Sequence, residues 1–250
     1  MISLYITSFN APDQFSRMVQ SLSDYDFNFI CNTRKFLIDN STDNSYEKYH
    51  EICNTWGFEH LKFDNLGIMG SRLFAAKHFD LSSSSHYLYF EDDMILSKYG
   101  KCKSGYLRWH TQILKTLLGI MDKEDFDFIK LNFTEVELSN KYDWVLSIEK
   151  NPMSFAGNKK LIEANFKKKD SYLNLEYLEG GFCLNNWPML MSKRGNWLCY
   201  IENKFTKMSE YEISRSIHPS ILKGKIKSSV LLLSPVEHNR FQNYKGRKEY

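Results

Sequence analysis

The stretch "YLYFEDDMIL", residues Tyr87–Leu96, decides how the rest of the chain is interpreted. Alternation and aromatic content make Tyr87–Phe90 typical of a buried strand. Three carboxylates, Glu91, Asp92 and Asp93, follow directly and therefore lie at the carboxyl end of that strand. Ligands of open α/β sheets usually bind outside that end. The stretch thus predicts an α/β sheet with a polar site at the edge where its strands end.

The composition of the chain is that of a folded protein with a sizeable core. It has 250 residues, 42% of them hydrophobic and 15% aromatic, which is enough apolar material for one large domain or two small ones. The 33 basic and 30 acidic residues leave a formal net charge of +3, so the overall charge does not mark a nucleic-acid or membrane protein. The five cysteines are scattered without a C-x-x-C pair, which indicates reduced thiols.

The start of the chain and its apolar runs bear on where the protein is found. The segment "MISLYITSF" lacks the positive and long apolar regions of a signal peptide. No run approaches the ~20 apolar residues of a membrane span. We therefore expect a soluble, cytoplasmic protein of a bacterial or phage-infected cell.

The first half of the chain alternates between strand-like and helix-like segments. The predicted strands are "ISLYITSF", "KFLIDN", "EHLKFDN" and "HYLYFEDD", and the helices between them are "NAPDQFSRMVQSL", "YEKYHEICNTWG" and "GIMGSRLFAAKHF". Pro12 suits a first helical turn, and Gly57 suits a C-terminal stop. This order predicts a mostly parallel central sheet flanked by helices, in a single domain.

The second half of the chain is less regular. We predict a helix over "GYLRWHTQILKTLLGIMD", a strand over "FDFIKLNF", and a long polar region that contains "FKKKD". The loop "EGGFCLNNWPMLMSKRG" leads into a further strand or helix. The segment "MSEYEISRSIHPSILKG" predicts a helix that stops near Pro219. A short strand over "SSVLLLSPVEHNRF" ends in an acid and a histidine, and "NYKGRKEY" forms a basic tail.

The three adjacent carboxylates repel one another and are costly unless a cation or several donors offset their charge. A divalent metal such as Mg²⁺ or Mn²⁺ is the simplest offset, and a solvated acidic turn is the plain alternative. Polar groups also follow the three earlier strands. If the sheet is parallel, all of these ends converge on one edge: Ser8 and Asn10, Asp39 and Asn40, Asp64 and Asn65, then Glu91–Asp93.

Four motifs in this order resemble the glycosyltransferases of the A-type (GT-A) fold, in the style of family 2. The first strand ends in a T-Y-N-like run, here Ser8-Phe9-Asn10, with Thr7 where a proline often stands. The second ends in "IDNSTDNS", which is similar to the family's Asp followed by N-S-T-D. The segment "NLGIMGSR" is similar to its N-x-G run with an Arg, and "EDD" to its D-x-D motif. The match covers roughly residues 2–96.

The resemblance implies a GT-A (Rossmann-like) α/β fold. Residues 1–96 would bind a nucleotide-sugar donor. Residues 97–250 would bind the acceptor, with a C-terminal segment that closes over the metal and diphosphate and ends in the basic tail.

The resemblance also implies roles for single residues around the donor. Ser8, Phe9 and Asn10 would form part of the donor site, with Phe9 near the base. Asp39 would contact that base, usually uracil; alternatively it caps the following helix. Asn65 and Arg72 would hold ribose or phosphate, and the alternative for Arg72 is an exposed helix residue. Asp93 would ligate Mn²⁺ or Mg²⁺, with Asp92 near ribose or a metal-bound water.

The second half carries weaker similarities to the same family. In "MSEYEISRSI", Glu210 stands where the family has a catalytic Asp, with Glu212 beside it; the alternative is two exposed glutamates on a helix. His238 resembles a late histidine that serves as a second metal ligand; alternatively it is a surface histidine. The loop that begins "EGGF" is similar to a segment that faces sugar and acceptor, with these candidates: Glu179, Gly180, Gly181 and Trp187.

The function implied is transfer of a sugar from a nucleoside diphosphate, UDP first, to a hydroxyl acceptor. A surface glycan and a hydroxymethylated base in phage DNA are both acceptors to consider. Basic residues that could meet DNA phosphates, or simply form a solvated face, are Lys167–Lys169, Arg240, Lys245, Arg247 and Lys248. A nucleotidyltransferase or an inert nucleotide-binding module on the same fold is the alternative, although "TSFNAPDQF" lacks the glycine-rich loop of a nucleotidyltransferase.

Overall fold

A computed structural model describes residues 1–96, 99–102, 105–108, 113–131, 168–172, 175–180, 184, 188–205, 209–231 and 235–238. For some of these, His238 among them, the description covers the backbone alone. Gly181 and Trp187, which were predicted to bind the acceptor, and the basic tail lie outside the described residues.

The described elements alternate strictly between strands and helices as far as residue 91. They are β1 (Ile2–Ser8), α1 (Pro12–Asn32), β2 (Arg34–Asp39), α2 (Tyr46–Trp56), β3 (Phe58–Lys62), α3 (Gly67–Asp80) and β4 (His86–Glu91). Then follow β5 (Met94–Leu96), β6 (Tyr99–Cys102), β7 (Gly105–Arg108), α4 (Ile113–Glu124), β8 (Phe128–Lys130), β9 (Lys168–Tyr172) and β10 (Leu175–Glu179). The last are β11 (Met189–Ser192), α5 (Lys193–Asn196) with a π-helical turn (Trp197–Ile201), α6 (Glu210–Leu222), β12 (Ser228–Leu231) and β13 (Val236–His238).

Nine strands of the described ranges form one central sheet, in the order β3-β2-β1-β4-β11-β8-β12-β10-β9. Strands β1 to β4 are parallel to one another, and β8 is parallel to β12. Only β11 and β10 run against the other seven strands. The predicted mostly parallel sheet is therefore confirmed. Strand β13 is not part of this sheet; it pairs with β5 in a separate two-stranded sheet.

The sheet is buried on both faces because helices pack on each side. Side chains of a strand alternate between the faces. On the first face, Leu4, Ile6 and Leu88 join one apolar cluster with residues of α1, α2 and α4. On the second face, Tyr5 and Tyr89 join another cluster with α3, the π-helical turn and α6. We call these the α1 face and the α3 face.

Several local predictions are confirmed, and others are wrong. Pro12 begins α1, and Gly57 ends α2 in the left-handed conformation with φ of 68°. The helix predicted from Gly105 begins only at Ile113, because Gly105–Arg108 pairs with β6 as a hairpin. Helix α6 continues three residues past Pro219, since a proline removes its own N–H but leaves later donors intact. No helix in the described ranges is long and apolar enough to cross a bilayer.

Candidate functional site

The carboxyl ends of four parallel strands meet at one edge of the sheet. The register places Ser8 beside Asp39 and Thr7 beside Glu91. The ladder extends one step past the strands, because the amide of Asp92 donates to the carbonyl of Thr7 at 3.0 Å. The polar residues that follow these strands in the sequence therefore share one edge, as expected for a parallel sheet. We call this the strand-end site.

Asp92 lies on the α1 face of the strand-end site and is 3% exposed. Its carboxylate accepts hydrogen bonds from Ser8 Oγ and from Gln14 Nε2, the latter at 3.2 Å. Tyr49 Oη lies 2.5 Å from Ser8 Oγ and accepts from the amide of Ala11 at 2.8 Å. These donors are all neutral. Burial raises the pKa of Asp92 to about 7, and the neighbouring charge of Asp93 adds to that rise.

Asp39 is fully buried one strand away from Ser8, and its carboxylate is surrounded by donors. His60 Nε2 lies 2.9 Å from one oxygen. The amide of Ser41 donates to the other at 2.8 Å, and Lys62 Nζ lies 3.8 Å from it. Burial alone would raise the pKa of Asp39, but these donors hold it below its usual value. Asp39 does not cap α2, whose N-cap residue is Ser45.

Three asparagines shape the loops around the strand-end site. Asn40 donates to Thr7 Oγ1 at 3.1 Å and to Ser71 Oγ at 2.7 Å, and it accepts from the amide of Leu66 at 2.9 Å. It thereby ties the end of β1 to the start of α3. Asn10 and Asn65 adopt the left-handed backbone conformation, with φ of 52° and 49°, which asparagine tolerates better than most residues.

Asp93 lies at the turn between β4 and β5 and is 2% exposed. Strand β13 pairs with β5 so that His238 stands opposite Met94, the residue after Asp93. The two predicted metal ligands, 145 residues apart in the sequence, are thus neighbours in backbone register. The described side chains include no group of three His, Cys, Asp or Glu that could hold a metal by itself. Mg²⁺ is usually bound by one or two carboxylates together with water and substrate phosphates, so a metal role for Asp93 and His238 stays a prediction.

Arg72 lies below the strand-end site on the α3 face and is fully buried. Its guanidinium carbon is 4.3 Å from the ring centre of Tyr89, and its Nε donates to Tyr200 Oη at 3.0 Å. The expectation of an exposed helix residue is therefore wrong. The expected contact with ribose or phosphate is also not supported, because no part of the side chain reaches solvent.

The two glutamates at the start of α6 differ in their surroundings. Glu212 closes a capping box: its carboxylate accepts from the amide and hydroxyl of Ser209, at 2.7 and 2.8 Å. These bonds lower the pKa of Glu212. Its role in the structure is therefore helix capping, which speaks against the predicted catalytic role. Glu210 is half-buried on the first turn of the same helix.

Glu179 and Gly180 are not brought to the strand-end site. Strand β10 runs against β12, and its register places Glu179 beside Ser229, in line with Leu88 in the middle of β4. Four strand spacings separate β10 from β4, or about 19 Å. The carboxyl end of β10 also points toward the opposite edge. Glu179 and Gly180 therefore lie away from the acids, and their predicted role toward sugar and acceptor stays a prediction.

Four residues around the buried acids were not predicted from the sequence. Gln14, His60 and Lys62 contact the acids themselves, and Tyr49 contacts Ser8, which binds Asp92. Gln14 lies in the first turn of α1, shortly after the Ser8-Phe9-Asn10 motif, and Lys62 is the last residue of β3. Which face each side chain points to depends on the register between strands, which the sequence does not show.

The fold is shared with solved structures of glycosyltransferases. GalNAc-T7 with UDP, GalNAc and Mn²⁺ aligns with a TM-score of 0.61 and 13% identity, over 100% of this chain and 45% of that one. TarS 1–349 of S. aureus aligns with a TM-score of 0.53 and 13% identity, over 92% of this chain and 58% of that one. Its complex with UDP-GlcNAc gives the same values apart from 56% coverage of the TarS chain. No family model and no curated protein matches the sequence.

These likenesses establish the predicted fold. The chain has the GT-A architecture, a single α/β domain with a mostly parallel sheet flanked by helices. It spans about half the length of the two solved chains described above. At 13% identity the similarity concerns the fold, and the chemistry has to be argued from the site itself.

Proposed function

We propose that this protein is a metal-dependent glycosyltransferase that moves a sugar from a nucleoside diphosphate, in the first place UDP, to a hydroxyl acceptor. One observation carries the proposal most: the β13–β5 pairing that places His238 opposite the residue after Asp93. The return of β13 to the acids would bring His238 close enough to Asp93 for both side chains to bind the same ion. GalNAc-T7 and TarS, on the same fold, have been solved with UDP or UDP-GlcNAc.

The donor nucleotide would lie across the ends of β1, β2 and β3. Phe9 is 41% exposed there, so its ring can pack against the base. Asn65 is exposed at the end of β3 and can reach the ribose. Asp39 is already paired with His60 and Ser41. Its part in base recognition would therefore be to hold this loop in place, unless the base displaces His60.

Asp93 and His238 would hold Mn²⁺ or Mg²⁺ against the diphosphate. When bound, the ion stabilises the negative charge that develops on the leaving diphosphate. Asp92 would stay behind Asp93, because Ser8 and Gln14 already bind its oxygens. Such a second layer fixes the orientation of a ligand rather than binding the ion.

The acceptor hydroxyl would approach from the side of α6. Glu210 is the candidate base, since Glu212 is used for capping. A base must come within hydrogen-bond reach of the acceptor oxygen. For the acceptor we retain a glycan and a hydroxymethylated DNA base. Transfer to hydroxymethylated DNA that declines steeply with added salt would identify DNA, and transfer to glycan alone would exclude it.

Thermal unfolding in the presence of nucleotides tests the proposal. We expect UDP or another nucleoside diphosphate with Mn²⁺ to raise the melting temperature of the wild type. Asp93→Ala should lose this shift, whereas Glu51→Ala, an exposed acid on α2, should keep it. No shift with any nucleoside diphosphate, or an equal shift in Asp93→Ala, would contradict the proposed site.

A further inference from the structure

The guanidinium of Arg72 is the most unusual group in the core of the protein. Arg72 is fully buried, and its guanidinium carbon lies 5.6, 4.3 and 5.5 Å from the ring centres of Tyr87, Tyr89 and Tyr200. Nε donates to Tyr200 Oη, while Nη1 and Nη2 have no hydrogen-bond partner in the described part of the chain. A buried cation is costly without compensation. The three aromatic faces offset part of that cost, and Tyr200 Oη is the one directional contact seen.

Arg72 and Tyr200 make the last of a series of contacts between α3 and the second half of the chain, which we describe from the carboxyl end of α3 toward the strand-end site. At the carboxyl end of α3, Lys193 Nζ donates to the carbonyls of Phe79, Asp80 and Ser82 at 2.7 to 2.8 Å. One turn higher, Asn196 donates to the carbonyl of Ala76 at 2.9 Å. Arg72 and Tyr200 follow one turn higher again, nearest the strand-end site. The lower contacts attach the elements to each other without help from Arg72.

The partners of Arg72 lie on an element of the proposed site or share an apolar cluster with one. Tyr89 lies on β4, two residues before Glu91 and three before Asp92. Tyr200 lies in a π-helical turn, a feature found frequently at functional sites. Tyr200 also shares its apolar cluster with Ile213 of α6. Glu210 is the first residue of the helix that carries Ile213.

We infer that Arg72 is a positioning residue that fixes the acid-bearing end of β4 relative to α6 and Glu210, and does not bind the donor. This inference rests on the proposed function. The geometric reason is that Arg72 packs between Tyr89 and Tyr200 and is closed to solvent, so its charge acts on these two rings. Displacement of a catalytic group by about 1 Å can cost about 100-fold in rate. Loss of the contact should therefore slow the reaction without weakening nucleotide binding.

Two variants separate positioning from binding. Tyr200→Phe removes only the hydroxyl that accepts from Arg72 Nε and keeps the ring. Arg72→Met removes the charge and keeps an unbranched side chain in the core. Lys77→Gln is the matched control, because Lys77 is an exposed cation on the same helix. The measurements are the Kd for UDP with Mn²⁺ by calorimetry, and kcat and KM for release of UDP from a UDP-sugar.

We expect Tyr200→Phe to lower kcat about 10-fold and Arg72→Met about 100-fold, with Kd and KM within about 3-fold of the wild type. A folded Arg72→Met with at least 10-fold weaker UDP binding would overturn the inference, because Arg72 would then contact the donor. Unchanged kcat in both variants would overturn it as well. If Arg72→Met does not fold, Tyr200→Phe decides by the same criteria.

The wild type serves as the test of the premise. If it binds no nucleoside diphosphate, or releases none from the matching nucleotide-sugar when glycan and hydroxymethylated DNA are supplied as acceptors, the proposed function fails and the inference fails with it. If the wild type binds and turns over, only the variants decide about Arg72.

Discussion

Asp39 ends β2 and Asp92 follows β4, the two strands that flank β1 in the sheet. Both carboxylates lie on the α1 face, and both are buried. Their pKa values nevertheless move in opposite directions. The pKa of Asp39 is lowered because His60, Ser41 and Lys62 direct donors at it. The pKa of Asp92 is raised to about 7 by burial and by Asp93, against neutral donors alone.

The comparison shows that burial does not decide the charge of a carboxylate; its partners do. The negative charge of Asp39 at the end of β2 is offset by groups of the protein itself, so we expect Asp39 to contribute to stability. The end of β4 holds two adjacent acids, Asp92 and Asp93, and a cation from outside would lower the cost of keeping them together. This difference is a reason to look for the metal at β4.

The largest expected effect comes from Asp39→Asn. The change removes the charge that His60 and Lys62 face and leaves a buried amide whose NH₂ group meets a donor. We expect about 3 kcal/mol lower free energy of unfolding at pH 7, measured by urea denaturation. Because the folded pKa of Asp39 lies below the unfolded one, the difference should persist above about pH 4 and shrink as the pH falls further. Glu51→Gln, on the surface of α2, should change stability by less than about 0.5 kcal/mol. An Asp39→Asn protein as stable as the wild type would show that the pairs around Asp39 contribute nothing.

Asp92 is expected to give the opposite pH dependence. Its folded pKa of about 7 lies above the unfolded value, so the folded protein holds an extra proton between about pH 4 and pH 7, and stability falls as the pH rises through this range. With a chelator present, we expect about 2 kcal/mol more stability at pH 5.5 than at pH 8. Asp92→Asn should remove most of that difference. If the variant keeps the full pH dependence, another group is responsible for it.

The hydroxyl of Tyr49 tests whether neutral donors matter at the end of β4. It lies 2.5 Å from Ser8 Oγ and accepts from the amide of Ala11. Tyr49→Phe should lower the free energy of unfolding by about 1 kcal/mol, measured by urea denaturation at pH 7. Tyr46→Phe is the control, because Tyr46 is half-exposed on the same helix. This change should have little effect on the free energy of unfolding. A loss as large as that of Asp39→Asn would mean that the two ends depend on hydrogen bonds to a similar degree.

Lys62 should have the smallest effect. Its side chain is 35% exposed and its Nζ lies 3.8 Å from Asp39, so solvent screens the pair. We expect Lys62→Met to cost about 0.5 kcal/mol at low salt and less at high salt. A loss near 3 kcal/mol in the same urea experiment would assign the stabilisation of Asp39 to Lys62 and not to His60.

The elements of the first half could be predicted almost completely from the sequence, because each carries a local signal. Pro12 and Gly57 mark helix ends, and the apolar strands alternate with polar turns. In the second half the signals conflict. No residue around Gly105–Arg108 marks where a helix should begin, and this segment forms a hairpin with β6. The predicted polar region contains β9 and β10, which form only because β12 offers an edge for pairing.

The candidate site was predicted in part for the same reason. The acids, Asp39 and Ser8 stand out because they follow strands directly. His60 carries no motif, and Arg72 stands out only as a helix residue of the donor motif. Their partners, Asp39 and Tyr200, are distant in sequence. Likewise Glu179 stands in a predicted loop, but it is the last residue of β10, and the direction of that strand takes it away from the acids.

The sequence by itself determined the fold class and the edge at which the polar residues gather, because strand periodicity and chain order are local properties that survive without knowledge of contacts. The tertiary structure alone decided which groups meet: that His60 pairs with Asp39, that β13 returns to β5, and that Arg72 is enclosed by tyrosines. These depend on register and on the face to which a side chain points. A shift of one residue in a strand reverses that face, and no local pattern in the sequence records it.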